Sequence, residues 1–304
     1  MYLIVFICTC LFILTVLSIC AQRLSELRAS VLSYGKLNLH NDSKPTTDWA
    51  TYLSRLLIPK HYFSHFYVVG LLTAVISIIE LIAWTYYKRP LFLVMSLQHY
   101  DIPIASQHVS RQQCVLGLML MTIHLSRRVY ESFWIEKPSK TATMHVSHYL
   151  AGIGFYGAMV LGTWLEGASS AFDLWQIHPD HVKSHTIPAI TAILLFTYAS
   201  YHQYHCHVIL ASLRKHTDTT YTIPRGDWFE YIVTPHYFAD ILIYLSLCIL
   251  YGFQNYIILC GFVWTIVNLS IVASETNTWY HTHFGSKYNQ TFPDGRWKII
   301  PGCY

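Results

Sequence analysis

Residues 201–244 read YHQYHCHVILASLRKHTDTTYTIPRGDWFEYIVTPHYFADILIY. The stretch opens as the polar end of an apolar helix, crosses a charged loop, and re-enters apolar sequence through Thr234, Pro235 and His236. At 3.6 residues per turn, Gln203, His207, Leu210 and Arg214 fall within about 40° of one another, a stripe roughly 16 Å long. A nucleotide diphosphate is of similar length. Thr234 suits an N-cap and Pro235 a first helical residue, so the next helix is expected to start at about Pro235. Free N–H groups and a positive dipole end there would lie beside His236, with Asp240 four residues on along the same face. Two helices meeting at one water boundary are thereby expected to hold an anionic dinucleotide.

Working outward, 53% of the 304 residues are hydrophobic and 12% charged, with a mean hydropathy of +0.34. Soluble domains carry about a quarter charged residues, so the chain reads as an all-α integral membrane protein. Apolar runs lie at about 2–20, 65–87, 112–126, 146–166, 187–210, 236–252 and 255–275, giving about seven transmembrane helices. The third is short and should continue as a helix beyond the bilayer. Loops at 21–64, 127–145 and 212–235 and the tail after 275 hold sixteen of the twenty Lys and Arg residues. That bias places them in the cytosol and the N-terminus in the lumen. The net charge of +4 is then a topological signal and gives no reason to expect nucleic acid.

The loops are too short to bury cores of their own, so residues 1–304 read as a single membrane domain. It divides into a first span and cytosolic loop (1–60), a helical bundle (61–275) and a cytosolic tail (276–304). Residues 2–20 lack a basic n-region and are long for a signal peptide, which favours a retained span. A segment around 49–57 has amphipathic character. Eight cysteines without CxxC spacing predict neither a disulfide framework nor a zinc site. Sequons at Asn41, Asn268 and Asn289 fall in the cytosol or in a span, where none is expected to be glycosylated.

Several further residues carry chemistry. His61 and His65 lie four apart in PKHYFSHFY, at the cytosolic mouth of the second span, where interfacial anchoring is the plainer role. Glu80 is a carboxylate deeper in that span, expected near the luminal end and wetted there. His124, Arg128 and Glu131 share a face by i, i+4, i+7 spacing where the third span leaves the membrane. Arginine pairs at such places commonly meet lipid headgroups, but Arg128 could equally bind phosphate. Gly152, Gly154 and Gly157 spell GxGxxG inside a span with no preceding strand, which is a helix-packing pattern rather than a Rossmann turn. Tyr280 and Arg296 belong to an aromatic, basic tail able to coat the interface or to close over a nucleotide.

Eighteen histidines raise the question of a di-iron centre. No two are adjacent, and His178 and His181 fall on the luminal side of a roughly 30 Å hydrocarbon layer from His61, His65, His202, His207, His281 and His283. No metal is expected.

HQYHCHVILASLRK and YTIPRGDWFEYIVTPHYFADILIY resemble the C-terminal half of the steroid 5α-reductase family, and closely its polyprenol/polyprenal reductase branch. PKHYFSHFY, HLSRRVYES and the FP…R…IP ending support this, over about 59–301. The resemblance implies a seven-helix enzyme of the endoplasmic reticulum membrane that uses NADPH to reduce the α-isoprene double bond of a long-chain polyprenoid, giving the dolichol series needed for protein N-glycosylation. Carried over position by position, it implies a cofactor pocket on the cytosolic side of the C-terminal helices. Its residues are Arg128, with His124 one turn before it, then Gln203, His207, Arg214, Tyr221, His236, Asp240, Tyr280 and Arg296. Three departures stand out. Asp240 replaces the usual Glu, Asn277 stands where the tail commonly has a histidine, and Leu125 with the His65-Phe66 pair replaces the tyrosine and Gln-Glu pair of steroid-acting members. A steroid substrate is thereby disfavoured.

Hydride delivery to the β-carbon of a conjugated alkene builds negative charge on a carbonyl oxygen, so a donor near that oxygen is required. His65 and Tyr67 are the expected catalytic donors. A free allylic alcohol cannot form an enolate, which favours polyprenal over polyprenol. Two other classes fit parts of the pattern: an isoprenylcysteine-type membrane methyltransferase using S-adenosylmethionine, and a non-enzymatic lipid-binding membrane protein. The arginines suit phosphates better than that sulfonium cofactor. No protein partner is evident from the sequence.

Overall fold

The computed structural model describes residues 2–28, 47–87, 91, 109–137, 142–168, 186–214 and 221–304. The Asn41 sequon, the His178/His181 pair and most of the 88–111 and 167–186 connections lie outside the described residues. Seven helices of sixteen residues or more stand among those described: α1 (Tyr2–Arg23), α2 (Ser64–Tyr87), α3 (Arg111–Tyr130), α4 (Val146–Leu165), α5 (Thr186–Ser212), α6 (Pro235–Leu250) and α7 (Tyr256–Phe284). Each expected apolar run falls within or close to one of them. Three segments, Tyr2–Arg23, Lys60–Trp84 and Tyr256–Phe284, are long and apolar enough to cross a membrane. The architecture is that of a mostly helical membrane protein. The amphipathic segment contains a short helix, Asp48–Ser54.

Local chemistry sets the helix ends. Ser110 and Gln113 form a capping box at the start of α3: Ser110 Oγ accepts from the Gln113 amide (3.3 Å) and Gln113 Oε1 accepts from the Ser110 amide (2.8 Å). The Gln113 side chain also donates to the Leu250 carbonyl at 2.7 Å, tying the start of α3 to the end of α6. At this end Asn255 caps α7 and donates to the Gly162 carbonyl (2.7 Å), Glu166 accepts from the Ile257 amide (2.7 Å), and Tyr251 donates to the Thr163 carbonyl (2.6 Å). One end of the bundle is therefore sewn by bonds that satisfy the buried side chains of Gln113, Asn255, Glu166 and Tyr251. As expected, α3 continues past its apolar run, through a π-turn over Glu131–Ile135.

At the opposite end, α6 begins at Pro235 as expected, but Thr234 does not cap it. The Thr234 hydroxyl donates instead to the Lys298 carbonyl at 2.9 Å and anchors the tail. A two-strand antiparallel ribbon, β1 (Leu57–Pro59) and β2 (Thr143–His145), pins the start of α2 to the start of α4. Glu80 is buried rather than wetted, and accepts from the Leu91 amide at 2.9 Å. A Cβ at Gly152 would lie 2.5 Å from the Phe66 ring, whereas Gly154 and Gly157 face open space, so only the first glycine of GxGxxG permits a close approach. Helix α1 lies along α7, with Gln22 and Arg28 both donating to Glu275 (3.1 and 2.7 Å).

Candidate functional site

Three helix segments converge on the Pro235 end of the bundle: the last turn of α3, the last third of α5 and the first turns of α6. Arg128 is their hub, 6% exposed. Its guanidinium donates to Glu131, to Glu136 at 3.0 Å and to the Tyr67 hydroxyl at 2.6 Å, and lies 4.5 Å over the Tyr67 ring. His207 Nδ1 is 2.7 Å from both Glu131 Oε2 and Arg128 Nη1, so the imidazole joins α5 to this pair. Arg127, the next residue, donates to the other oxygen of Glu131 and to Gln203 Oε1. Gln203 in turn donates to Asp240 Oδ1 at 2.9 Å and to the His236 carbonyl at 3.2 Å, closing α5 onto the start of α6.

Burial alone would raise the Glu131 carboxyl, but the His207 bond and the charges of Arg128 and Arg127 outweigh it and hold the group well below the ordinary carboxylate range. Glu136 is likewise held low, with Arg128 overcoming the burial penalty. Both are therefore anions at neutral pH. Glu131, Glu136 and His207 each offer a ligand atom within 4.8 Å of the others. The Arg128 guanidinium already contacts all three, so the cationic role between them is filled by a side chain.

One turn deeper the surroundings become apolar. His124 is fully buried, with Nε2 3.9 Å from Asp240 Oδ1, and its ring stands 6.2 Å from that of Tyr244. Tyr156 meets Tyr67 edge-on at 5.1 Å, while Phe155 packs against both Tyr244 (5.5 Å) and Trp264 (4.6 Å). Charged groups thus give way to hydroxyls and then to a hydrocarbon-like interior.

Of the residues singled out in the sequence, His124, Arg128, Gln203, His207, Asp240 and Tyr67 come together here, with His236 at the rim, its ring 5.6 Å from His207. Arg214 does not extend the stripe. Helix α5 stops at Ser212, and Arg214 turns outward to donate to the Lys137 carbonyl at 2.6 Å. Tyr221 is exposed and packs edge-on against Trp279 at 4.8 Å. Arg296 lies in a separate cluster, its guanidinium 3.9 Å over Phe292 and 5.6 Å over Tyr280, donating to the Phe229 carbonyl at 2.8 Å. The structure also separates the two expected donors. His65 stacks on Tyr62 at 4.8 Å and lies 3.1 Å from the Tyr149 hydroxyl, whereas Tyr67 joins Arg128.

Arg127, Glu136, Tyr156 and Tyr244 were not anticipated. Tyr244 continues the His236, Asp240 series by one more i+4 step, and that step is the signal that would have found it.

Residues 142–304 match the family described as 3-oxo-5-alpha-steroid 4-dehydrogenase. The chain is 30% identical to polyprenal reductase 1 of Arabidopsis thaliana over 322 residues, covering 96% of this chain and 93% of that protein. It is 31% identical to polyprenal reductase of Xenopus tropicalis over 258 residues, covering 80% and 79%. Against polyprenal reductase 1 of Oryza sativa subsp. indica the identity is 30% over 291 residues, covering 82% and 80%.

Proposed function

The chain belongs to the 3-oxo-5-alpha-steroid 4-dehydrogenase family and, within it, to the polyprenal reductases; on that premise we propose that it reduces the α-isoprene carbon–carbon double bond of a polyprenal. The product feeds dolichol synthesis and so protein N-glycosylation. The observation that carries the site is the Arg128 hub, a dry ion-paired cluster at the N-terminal end of α6 that borders an apolar interior.

The hydride donor in this reading is NADPH. Arg127 Nε and His124 Nε2 are buried without hydrogen-bond partners among the described residues and lie beside the positive dipole end of α6, which suits a polyanionic nucleotide; the Tyr237 and Phe238 amides expected to be free there are instead bonded to the Thr234 carbonyl. Arg128, His124, Gln203, His207, His236 and Asp240 would hold it from the bundle. Arg214, Tyr221, Tyr280 and Arg296 would close over it from the α5–α6 connection and the tail. Bound NADPH would supply a hydride for the β-carbon of the enal, and a solvent-derived proton at the α-carbon completes the saturated aldehyde.

The chain's own residues do the rest. Because Tyr67 accepts from Arg128, its own O–H is left to donate to the carbonyl oxygen, where charge develops. His65 assists from the mouth of α2 by fixing Tyr149 and the ribbon side of the cleft. Seven spans, a luminal N-terminus, a cytosolic cofactor pocket and residence in the endoplasmic reticulum complete the proposal. The sixteen-to-four basic-residue bias supports that orientation.

Purified protein should be stabilised against heat by NADPH more than by NADH, by roughly 2.7 kcal/mol at a hundredfold excess over Kd. Stabilisation by S-adenosylmethionine instead would make the chain a methyltransferase and overturn the reading.

A further inference from the structure

Helix α6 and its C-cap carry two fully buried tyrosines seven residues apart, Tyr244 and Tyr251. Two helical turns separate them along one face. Tyr251 is a structural tyrosine, its hydroxyl donating to the Thr163 carbonyl at 2.6 Å. The Tyr244 hydroxyl makes no hydrogen bond of good geometry among the described residues, although it stands close to the hydroxyl of Tyr156, which is itself buried. A buried hydroxyl without a partner costs free energy that a phenylalanine at the same place would not.

The surroundings indicate what kind of group would offset that cost. Above Tyr244 lie Asp240 and the buried His124, and beside it are Tyr156 and then Tyr67, bonded to Arg128. On its other side Phe155 packs against it and in turn against Trp264, with Met159 and Leu125 in the same core. The hydroxyls therefore mark the depth at which ionic chemistry stops and hydrocarbon begins. A ligand that fits this boundary has one small oxygen acceptor at the end of a long apolar body.

We propose that Tyr244 and Tyr156 are catalytic residues, whose hydroxyls join that of Tyr67 in holding the oxygen of the substrate's oxygenated terminal carbon. The inference rests on the reductase reading above and deepens it. Three donors from α2, α4 and α6 around one oxygen would stabilise charge there as it develops, in a site closed to water. The isoprenoid chain would then run along the apolar side, past Phe155.

The test uses full-length enzyme with NADPH and a short α,β-unsaturated isoprenoid aldehyde, and compares Tyr244→Phe, Tyr156→Phe and Tyr251→Phe. Tyr244→Phe should lower kcat about 100-fold while leaving the KM for NADPH and the NADPH-induced thermal shift unchanged, and its Tm without ligand should equal or exceed the parent's. Tyr156→Phe should follow the same pattern with a smaller loss. Tyr251→Phe should do the reverse, lowering Tm with kcat kept. Full turnover in both Tyr244→Phe and Tyr156→Phe, beside an active parent, overturns this inference and leaves the reductase reading intact. A parent that consumes no NADPH with the enal sinks both. A Tyr244→Phe whose Tm falls as much as that of Tyr251→Phe assigns the hydroxyl to the fold and also refutes the proposal.

Discussion

Arg128 and Arg296 are both drawn at least partly out of water, and the chain answers their charges in opposite ways. Around Arg128 the answer is ionic: Glu131, Glu136 and the imidazole of His207, with one phenol hydroxyl. Around Arg296 it is aromatic: the faces of Phe292, Tyr288 and Tyr280, with the Phe229 carbonyl and the Tyr288 hydroxyl as acceptors. An ionic hub ties the fate of each member to the others, since removing one leaves a buried charge unpaired. An aromatic clamp holds a charge in place without a counter-charge and keeps the guanidinium edge free for hydrogen bonds. The first arrangement suits the binding of a multiply charged ligand deep in the bundle. The second fastens the tail to the α5–α6 connection through the Arg296 bond to the Phe229 carbonyl.

The largest expected effect comes from removing the hub. Arg128→Met should cost about 3–5 kcal/mol of stability, because Glu131 and Glu136 then lose their shared cation, and NADPH should no longer raise Tm. A stable variant that still responds to NADPH would erase the contrast with Arg296.

Acid should distinguish the two regions next. Glu131 and Glu136 have folded-state pKa values depressed below the ordinary 4.5. Their contribution to stability is therefore present above that value and is lost as pH falls from it toward their own lowered values. Hydrogen exchange across residues 127–136 should accelerate below about pH 4.5 before it does across 288–297, and Glu131→Gln should flatten this dependence. Simultaneous opening of both regions would show that the carboxylates do not govern the first.

Arg296→Lys tests the clamp. A lysine keeps the charge but loses the planar stacking, so a loss of about 1–2 kcal/mol is expected, with the KM for NADPH raised several-fold and kcat unchanged. A large fall in kcat would place Arg296 in the chemistry rather than at the rim. The smallest effect is expected from His65→Ala, which removes the contact with Tyr149 while sparing the hub. Turnover should fall by less than that of Tyr67→Phe, and NADPH binding should be unchanged in a thermal-shift titration.

Much of this arrangement is legible in the residues. The seven apolar runs mark the helices, Pro235 marks the start of α6, and the i, i+4, i+7 series His124, Arg128 and Glu131 marks the face that α3 presents. Gln203 and His207 were also readable, because both fall within the regular part of α5. The stripe fails at Arg214 since helical spacing predicts position only as far as the helix persists, and α5 ends two residues earlier.

Tyr156 and Tyr244 are hidden for a different reason. Within apolar helices a tyrosine at core spacing looks like packing, and only the unmatched hydroxyl of Tyr244, beside the bonded one of Tyr251, sets it apart. His65 and Tyr67 were separable in principle, being about 200° apart around a helix, but which of them faces α3 depends on how α2 is rotated. The ribbon of β1 and β2 has three residues in each strand, too few for any period to show.

The central claim is that the residues gathered around Arg128 hold a hydride donor over the α-isoprene unit of a polyprenal. Incubating the purified enzyme with polyprenal and NADPH deuterated at the transferable position tests it most directly. The account predicts one deuterium on the β-carbon of a saturated aldehyde. Deuterium on the aldehyde carbon of an allylic alcohol, or none in the product, would contradict it.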